Sequence, residues 1–146
     1  MHIIIIQTIT GGIASIGYSL LYNIKKNRIL ISFVTSTIIC AIYLLMDRFV
    51  GSLFFDNMIC AALATTFAEI LARLMHAPAI VFLTPPLFPL VPGGYLYYTM
   101  YAIVTRDRAM ALSNASSTAV TALGIAIGIV IVSVIMSFGK KKAKTG

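Results

Sequence analysis

Charge is scarce in this chain. Asp, Glu, Lys and Arg make up 10% of its 146 residues, and only four of these are acidic. A soluble domain carries roughly a quarter charged residues. With 60% hydrophobic residues and a mean hydropathy of +0.98, the chain has more apolar surface than a soluble core of this size could bury. The expected class is an all-α integral membrane protein in contact with the lipid bilayer.

Other scarcities exclude functions. The only imidazoles are His2 and His76, and neither stands beside a nucleophile and an acid or at metal-ligand spacing. His2 reads as an exposed or interfacial group. No glycine loop for phosphate occurs, so an enzyme, an ATP-driven pump, a bound metal and a cofactor are all unexpected. The two cysteines, Cys40 and Cys60, fall inside apolar runs and read as buried free thiols. The N-terminus has no basic flank ahead of its apolar run, so it reads as a first anchor rather than a cleaved signal. The net charge of +7 is not spread as a nucleic-acid footprint. Lys25, Lys26 and Arg28 form one cluster and Lys140, Lys141, Lys142 and Lys144 another, both flanking apolar runs as topology determinants do.

About 20 largely apolar residues span a bilayer, and five such segments are expected in one transmembrane domain: 3–22, 29–46, 53–75, 78–104 and 111–138, followed by a basic cytoplasmic tail at 139–146. In the first, Gly11, Gly12, Ala14, Ser15 and Gly17 offer a side for close helix approach. In the second, the Ser32, Thr35 and Ser36 hydroxyls can bond back to their own helix. In the third, Asp56 is intramembrane if the helix begins near Phe49; if it begins near Met58, the favoured reading, Asp56 is in a loop or at the helix start, where a carboxylate suits the helix dipole. The third also holds Glu69 one turn before Arg73. That spacing suits an ion pair at the membrane border, and an intramembrane acid also marks coupling pathways. The last has a polar face of Asn114, Thr118 and Thr121 with Ser117 beside it, then Gly124 and Gly128 as a small-xxx-small pair.

The fourth segment is the unusual one. Residues 78–101 carry all five prolines, Pro78, Pro85, Pro86, Pro89 and Pro92, together with Gly93 and Gly94. Proline inside a helix removes a hydrogen bond and clashes with the preceding turn. Freed backbone groups at membrane depth survive only against protein or a cavity. Two half-helices are predicted, about 78–83 and 94–104, joined by an extended or irregular link. The second would expose orphan N–H groups near Gly93, Gly94 and Tyr95, which favour a carboxylate. Broken helices in secondary transporters hold anionic groups in this way. Tyr95, Tyr97, Tyr98 and Tyr101 supply either an interfacial aromatic belt or substrate contacts. The candidate substrate path is Pro85, Pro89, Pro92, Gly93, Gly94, Tyr95 and Asn114, with Glu69 and Arg73 as coupling or ion-pair candidates.

With five crossings and the N-terminus outside, eight of the eleven Lys and Arg fall inside, leaving Arg48, Arg106 and Arg108 outside. The positive-inside bias supports that orientation and a full crossing by the fourth segment.

AEILARLMHA followed by PAIVFLTPPLFPLVPGGYLYYTMYA, residues 68–102, closely resembles the signature region of the threonine/serine exporter (ThrE) family, and the chain is similar to its small YjjB-like membrane subunits. The family's motif matches at Glu69, Arg73, Pro78, Pro85, Pro89, Pro92 and Gly93. Pro86 departs from it, at a position where glycine is frequent. The resemblance implies efflux of small carboxylate metabolites across a prokaryotic plasma membrane, either threonine and serine or dicarboxylates such as succinate. It also implies a YjjP-like second subunit. Since no ATP motif is present, an ion gradient, with protons first, is the expected drive. A pore-forming homo-oligomer and a membrane scaffold without transport are the alternatives.

Overall fold

The computed structural model describes residues 2–21 and 26–142. The His2 side chain, Lys25, the side chains of Lys26 and Arg28, and the tail side chains from 139 onward, Lys140 to Lys144 included, lie outside that description. Six helices follow one another: α1 (His2–Leu21), α2 (Lys26–Phe49), α3 (Leu53–Leu74), α4 (Ile80–Leu87), α5 (Gly93–Val104) and α6 (Arg108–Lys142), with a short 3-10 turn at Phe88–Leu90. α2 starts ahead of the expected segment 29–46, so residues 26–28 form its first turn.

This is an all-α membrane protein. Ile29–Phe49, Leu53–Leu74 and Arg108–Phe138 are long and apolar enough to cross a bilayer, and Ile80–Leu90 with Gly93–Val104 makes a fourth if the bent pair is one span. The expected count of five is not established. The remaining segment rests on α1, whose described apolar run is Thr8–Leu21, shorter than a full crossing.

Small residues decide which helices touch. The most extensive interface joins α3 to α6. A Cβ placed on Gly124 would stand 2.6 Å from the Phe54 carbonyl oxygen, and one on Gly128 would meet the Met58 carbonyl oxygen more closely still. Main chain therefore packs on main chain, as small-xxx-small pairs allow. α1 lies along α2 at Gly12, where main chain meets side chains instead: a Cβ would stand 2.7 Å from the Phe33 ring and closer still to the Thr37 hydroxyl. Ser15 and Ser19 are buried on that side, whereas Ala14 is exposed and Gly17 has nothing within 4 Å. At 100° per residue, Ala14 and Gly17 do not share the face of Gly12, Ser15 and Ser19, so the expected small-residue side is narrower.

α4 sits at the centre, between α2 and α3, and α5 packs chiefly along α6. The apolar core joins Ile39, Cys60, Ala64 and Leu90 from α2, α3 and the 3-10 turn. Both cysteines are buried, and neither is in a disulfide. Thr35 donates to the Ile31 carbonyl of its own helix. Ser32 and Ser36 do not follow that expectation. Their hydroxyl oxygens are buried with no hydrogen-bond partner among the described residues, a cost that a back-bonded serine avoids.

Two helices end on non-glycine residues in left-handed conformation, His76 (φ 48) and Arg106 (φ 61). Beyond each, an N–H reaches back across the last turn, Ala77 to the Ala72 carbonyl at 3.1 Å and Asp107 to the Ala102 carbonyl at 2.9 Å. This is the Schellman closure, and it gives His76 a structural position with no catalytic context. Asp107 then opens α6, its Oδ1 accepting from the Met110 N–H at 3.0 Å, as an N-cap does.

Candidate functional site

The break in the proline-rich segment is shorter than its composition suggests. Pro85 and Pro86 lie inside α4, buried, and the helical path continues through the 3-10 turn to Leu90. Proline's fixed φ is already helical, so each ring costs a hydrogen bond without stopping the chain. The link reduces to Val91, extended at φ −62 and ψ 129, and Pro92 at φ −76 and ψ 53. From there α5 leaves at a 51° bend. The first half therefore runs to Leu90 rather than Leu83, and the second begins at Gly93.

Gly93 and Gly94 are the first two residues of α5, and neither has a positive φ. A Cβ on either would meet nothing within 4 Å. Glycine there is required neither by backbone angle nor by a close neighbour. What it does is leave the helix start uncovered. The Gly93 N–H donates to the Val91 carbonyl at 2.7 Å and the Leu96 N–H to the Pro92 carbonyl at 3.1 Å. Between them, the Gly94 and Tyr95 N–H groups have no backbone acceptor among the described residues, and Pro92 supplies no side-chain cap. The orphan donors of this helix end are thus Gly94 and Tyr95, without Gly93.

These donors border a cavity of about 460 Å³ lined by Tyr43, Pro89, Leu90, Val91, Pro92, Gly93, Gly94, Tyr95, Tyr98, Asn114 and Thr121. Of the residues expected on the substrate path, Pro89, Pro92, Gly93, Gly94, Tyr95 and Asn114 line it, and Pro85 does not. Pro85 is buried in α4, one turn too early. The tyrosines divide at the cavity. Tyr95 and Tyr98, three apart, both line it, while Tyr97 and Tyr101 do not; Tyr98 is about as exposed as Tyr101.

Asn114 donates to the Met110 carbonyl at 2.9 Å, so its amide is oriented by its own helix. Thr118 and Thr121 likewise back-bond, to Asn114 and Ser117. The polar face of α6 is held in place before any ligand arrives.

Tyr43 enters without having been expected at the site, with Asp56 near it but lining neither this cavity nor the one next to it. Tyr43 lines this cavity and a neighbouring one of about 390 Å³ that runs beside Thr10, Gly11, Ala14, Cys40, Leu44, Phe88 and Pro89. Tyr43 and Pro89 form the partition between the two. Asn57, Asp47, Asp56 and Tyr95 all lie close enough to act on the Tyr43 hydroxyl. Asp56 is in the first turn of α3 and 1% exposed. It is therefore in the helix and inside the protein, not in a loop. The available signal was the YLLMD sequence, which sets Tyr43 and Asp47 one turn apart at the end of α2, where α3 must return.

Glu69 and Arg73 are not at the cavity. Both lie well along α3, Glu69 half-buried and Arg73 exposed. Arg73 reaches α6, with a terminal nitrogen 3.5 Å from the Met136 carbonyl oxygen. Among the described residues, no group of three or more His, Cys, Asp or Glu could hold a metal.

A family model described as Threonine/Serine exporter, ThrE, matches residues 7–135. No curated protein and no solved structure matches the chain.

Proposed function

The chain belongs to the threonine/serine exporter (ThrE) family, and on that premise we propose that it is one membrane subunit of a secondary exporter of small carboxylate metabolites. The substrates are threonine- and serine-type amino acids or dicarboxylates, moved at the expense of an ion gradient. The observation that carries the reading is the cavity at the start of α5. Two N–H groups without an acceptor among the described residues, at Gly94 and Tyr95, belong to residues that line one space with Asn114, Tyr43 and Tyr98. A carboxylate fits the positive end of a helix. The amide and hydroxyls suit the polar remainder of an amino acid or a second carboxylate.

A second membrane subunit completes the path. α5 packs chiefly on α6 and leaves Leu96, Tyr97, Met100 and Tyr101 exposed, so one flank of the break is open for another chain. A YjjP-like partner built in inverted topology would supply that flank, a common plan in secondary transporters. The bent pair crosses the membrane as one span. A 51° bend keeps the halves running in one general sense; with α1 as a fifth crossing, the positive-inside bias favours the N-terminus outside the plasma membrane and the C-terminus inside. Glu69 is a second acid to test for coupling. Glu69→Gln should slow export without preventing membrane insertion.

The deciding experiment measures export of radiolabelled threonine, serine and succinate from cells expressing the chain alone, the partner alone and both. Export that needs both supports the reading. Export or ion conduction by this chain alone favours a pore-forming homo-oligomer, and no export under any pairing favours a scaffold.

A further inference from the structure

Asp56 has an environment in which a charged carboxylate is hard to keep. It is 1% exposed, and neither carboxyl oxygen has a hydrogen-bond partner among the described residues. The Ser52 main chain stands near the carboxyl without hydrogen-bond geometry to either oxygen, and its carbonyl accepts instead from the Asp56 N–H at 2.9 Å. Its neighbour Asn57 adds a buried amide oxygen that also has no partner among the described residues. No cation compensates it among the described residues. From α2 it faces Asp47 and Tyr43, and from its own helix Cys60. The facing stretches of α4 and α6 bring no charged side chain. Asp47, exposed at the end of α2, has the same sign and opposes a second negative charge. A buried charge with no partner neutralises itself rather than persist, and here only a proton is at hand.

The position matters as much as the burial. Asp56 lines neither cavity, but it lies near Tyr43, which lines both. Glu69 is about 20 Å further along α3 at 1.5 Å per residue, out of reach of Tyr43. Intramembrane acids beside a substrate path mark proton relays.

We propose that Asp56 is the proton-carrying carboxyl of the transport cycle, holding a proton in this conformation and releasing it to water when substrate occupies the cavity beside Tyr43. Proton and substrate then bind in alternation, which is the requirement for export driven by proton entry. The proton is taken from water on one side of the membrane, carried as the neutral acid and returned to water on the other. The assignment rests on the exporter reading above and on protons as its drive, and goes further by naming the residue that carries the proton.

The test uses proteoliposomes holding the full chain and its second subunit, with radiolabelled threonine, serine and succinate as probes. Accumulation under an imposed pH gradient is compared with exchange at equal pH. One pH unit supports about tenfold accumulation per coupled proton. The wild type should approach that ratio. Asp56→Asn should fall to a ratio of about one while exchange stays measurable, for the same reason. Asp56→Glu should restore accumulation with a displaced pH profile. Accumulation by Asp56→Asn equal to the wild type overturns the assignment and leaves the exporter reading standing. Exchange by the wild type without pH-driven accumulation overturns proton coupling, again without touching the exporter reading. Loss of all probe movement in the wild type removes both. Infrared spectroscopy of the wild type needs no variant to fold. A protonated-carboxyl C=O band at neutral pH, shifted in Asp56→Glu, is expected, and its absence overturns the proposal.

Discussion

Gly93-Gly94 and Gly124…Gly128 are alike in sequence, two pairs of glycines in apolar surroundings, and opposite in structure. At the second pair, an added methyl would strike the main chain of α3. At the first, it would enter open space beside the cavity. One pair exists so that two backbones can touch, the other so that nothing covers a helix start. The meaning of a glycine in a membrane helix lies in what its missing side chain would have met, so the same substitution should break different things at the two places.

The largest effect is expected at Gly128. The methyl of Gly128→Ala falls on the Met58 carbonyl, which is fixed in α3 and cannot rotate away. Overpacking of this kind costs about 1–3 kcal/mol, and Gly128→Leu should lose the folded protein altogether. Thermal stability of the purified protein in detergent, followed by monodispersity, checks this. An unchanged melting temperature in Gly128→Leu would mean that α6 does not pack on α3 through this face.

Gly93→Leu should do the reverse. Glycine costs a helix roughly 0.5–1 kcal/mol relative to alanine, so the variant should be as stable as the wild type or slightly more so. Its side chain would narrow the cavity, and export should be lost. A stable Gly93→Leu protein that still exports would separate the cavity from transport and break the comparison at its functional end.

Tyr43 should give an intermediate effect, because it touches both kinds of region: packed against the core and bordering open space. Tyr43→Phe keeps the partition and removes the hydroxyl, so substrate affinity or coupling should weaken while folding holds. Tyr43→Ala removes the partition as well. Truncating a large side chain in a core costs about 3–5 kcal/mol; half-buried Tyr43 should cost less, with exchange becoming faster and less selective. Equal transport in Tyr43→Phe and Tyr43→Ala would show that the ring has no gating role.

How far the sequence discloses this arrangement depends on whether a signal is local. The membrane class, the location of the break and the small-residue pair on α6 are legible because each is written in consecutive residues. Pro89, Pro92, Gly93, Gly94, Tyr95 and Asn114, named from the sequence as path candidates, line one cavity, since a proline–glycine interruption exposes backbone wherever it falls. The length of the link is not legible. Pro85 and Pro86 look like breakers, but their φ suits a helix and their neighbours bury them. Tyr43 and Asp56 are not legible either, because their importance arises only when α2 and α3 meet. Composition likewise gives no way to choose between Tyr95 and Tyr97; the spacing along α5 decides it, once the facing helix is known.

The smallest effect is expected where packing is close but one polar group is out of place. Ser36 is fully buried in α2, and its hydroxyl has no hydrogen-bond partner among the described residues. Removing an unsatisfied buried hydroxyl without leaving a large void is neutral to stabilising, by about 1 kcal/mol or less on the scale of single hydrogen bonds. Ser36→Ala should therefore melt at the same temperature as the wild type or a little above it, in contrast with Gly128→Ala in an equally close interface. If Ser36→Ala is instead destabilised, its hydroxyl has a partner in the membrane. The α2 surface around Ser32 and Ser36 would then belong with the working polar groups of the break rather than with the passive contacts of α6.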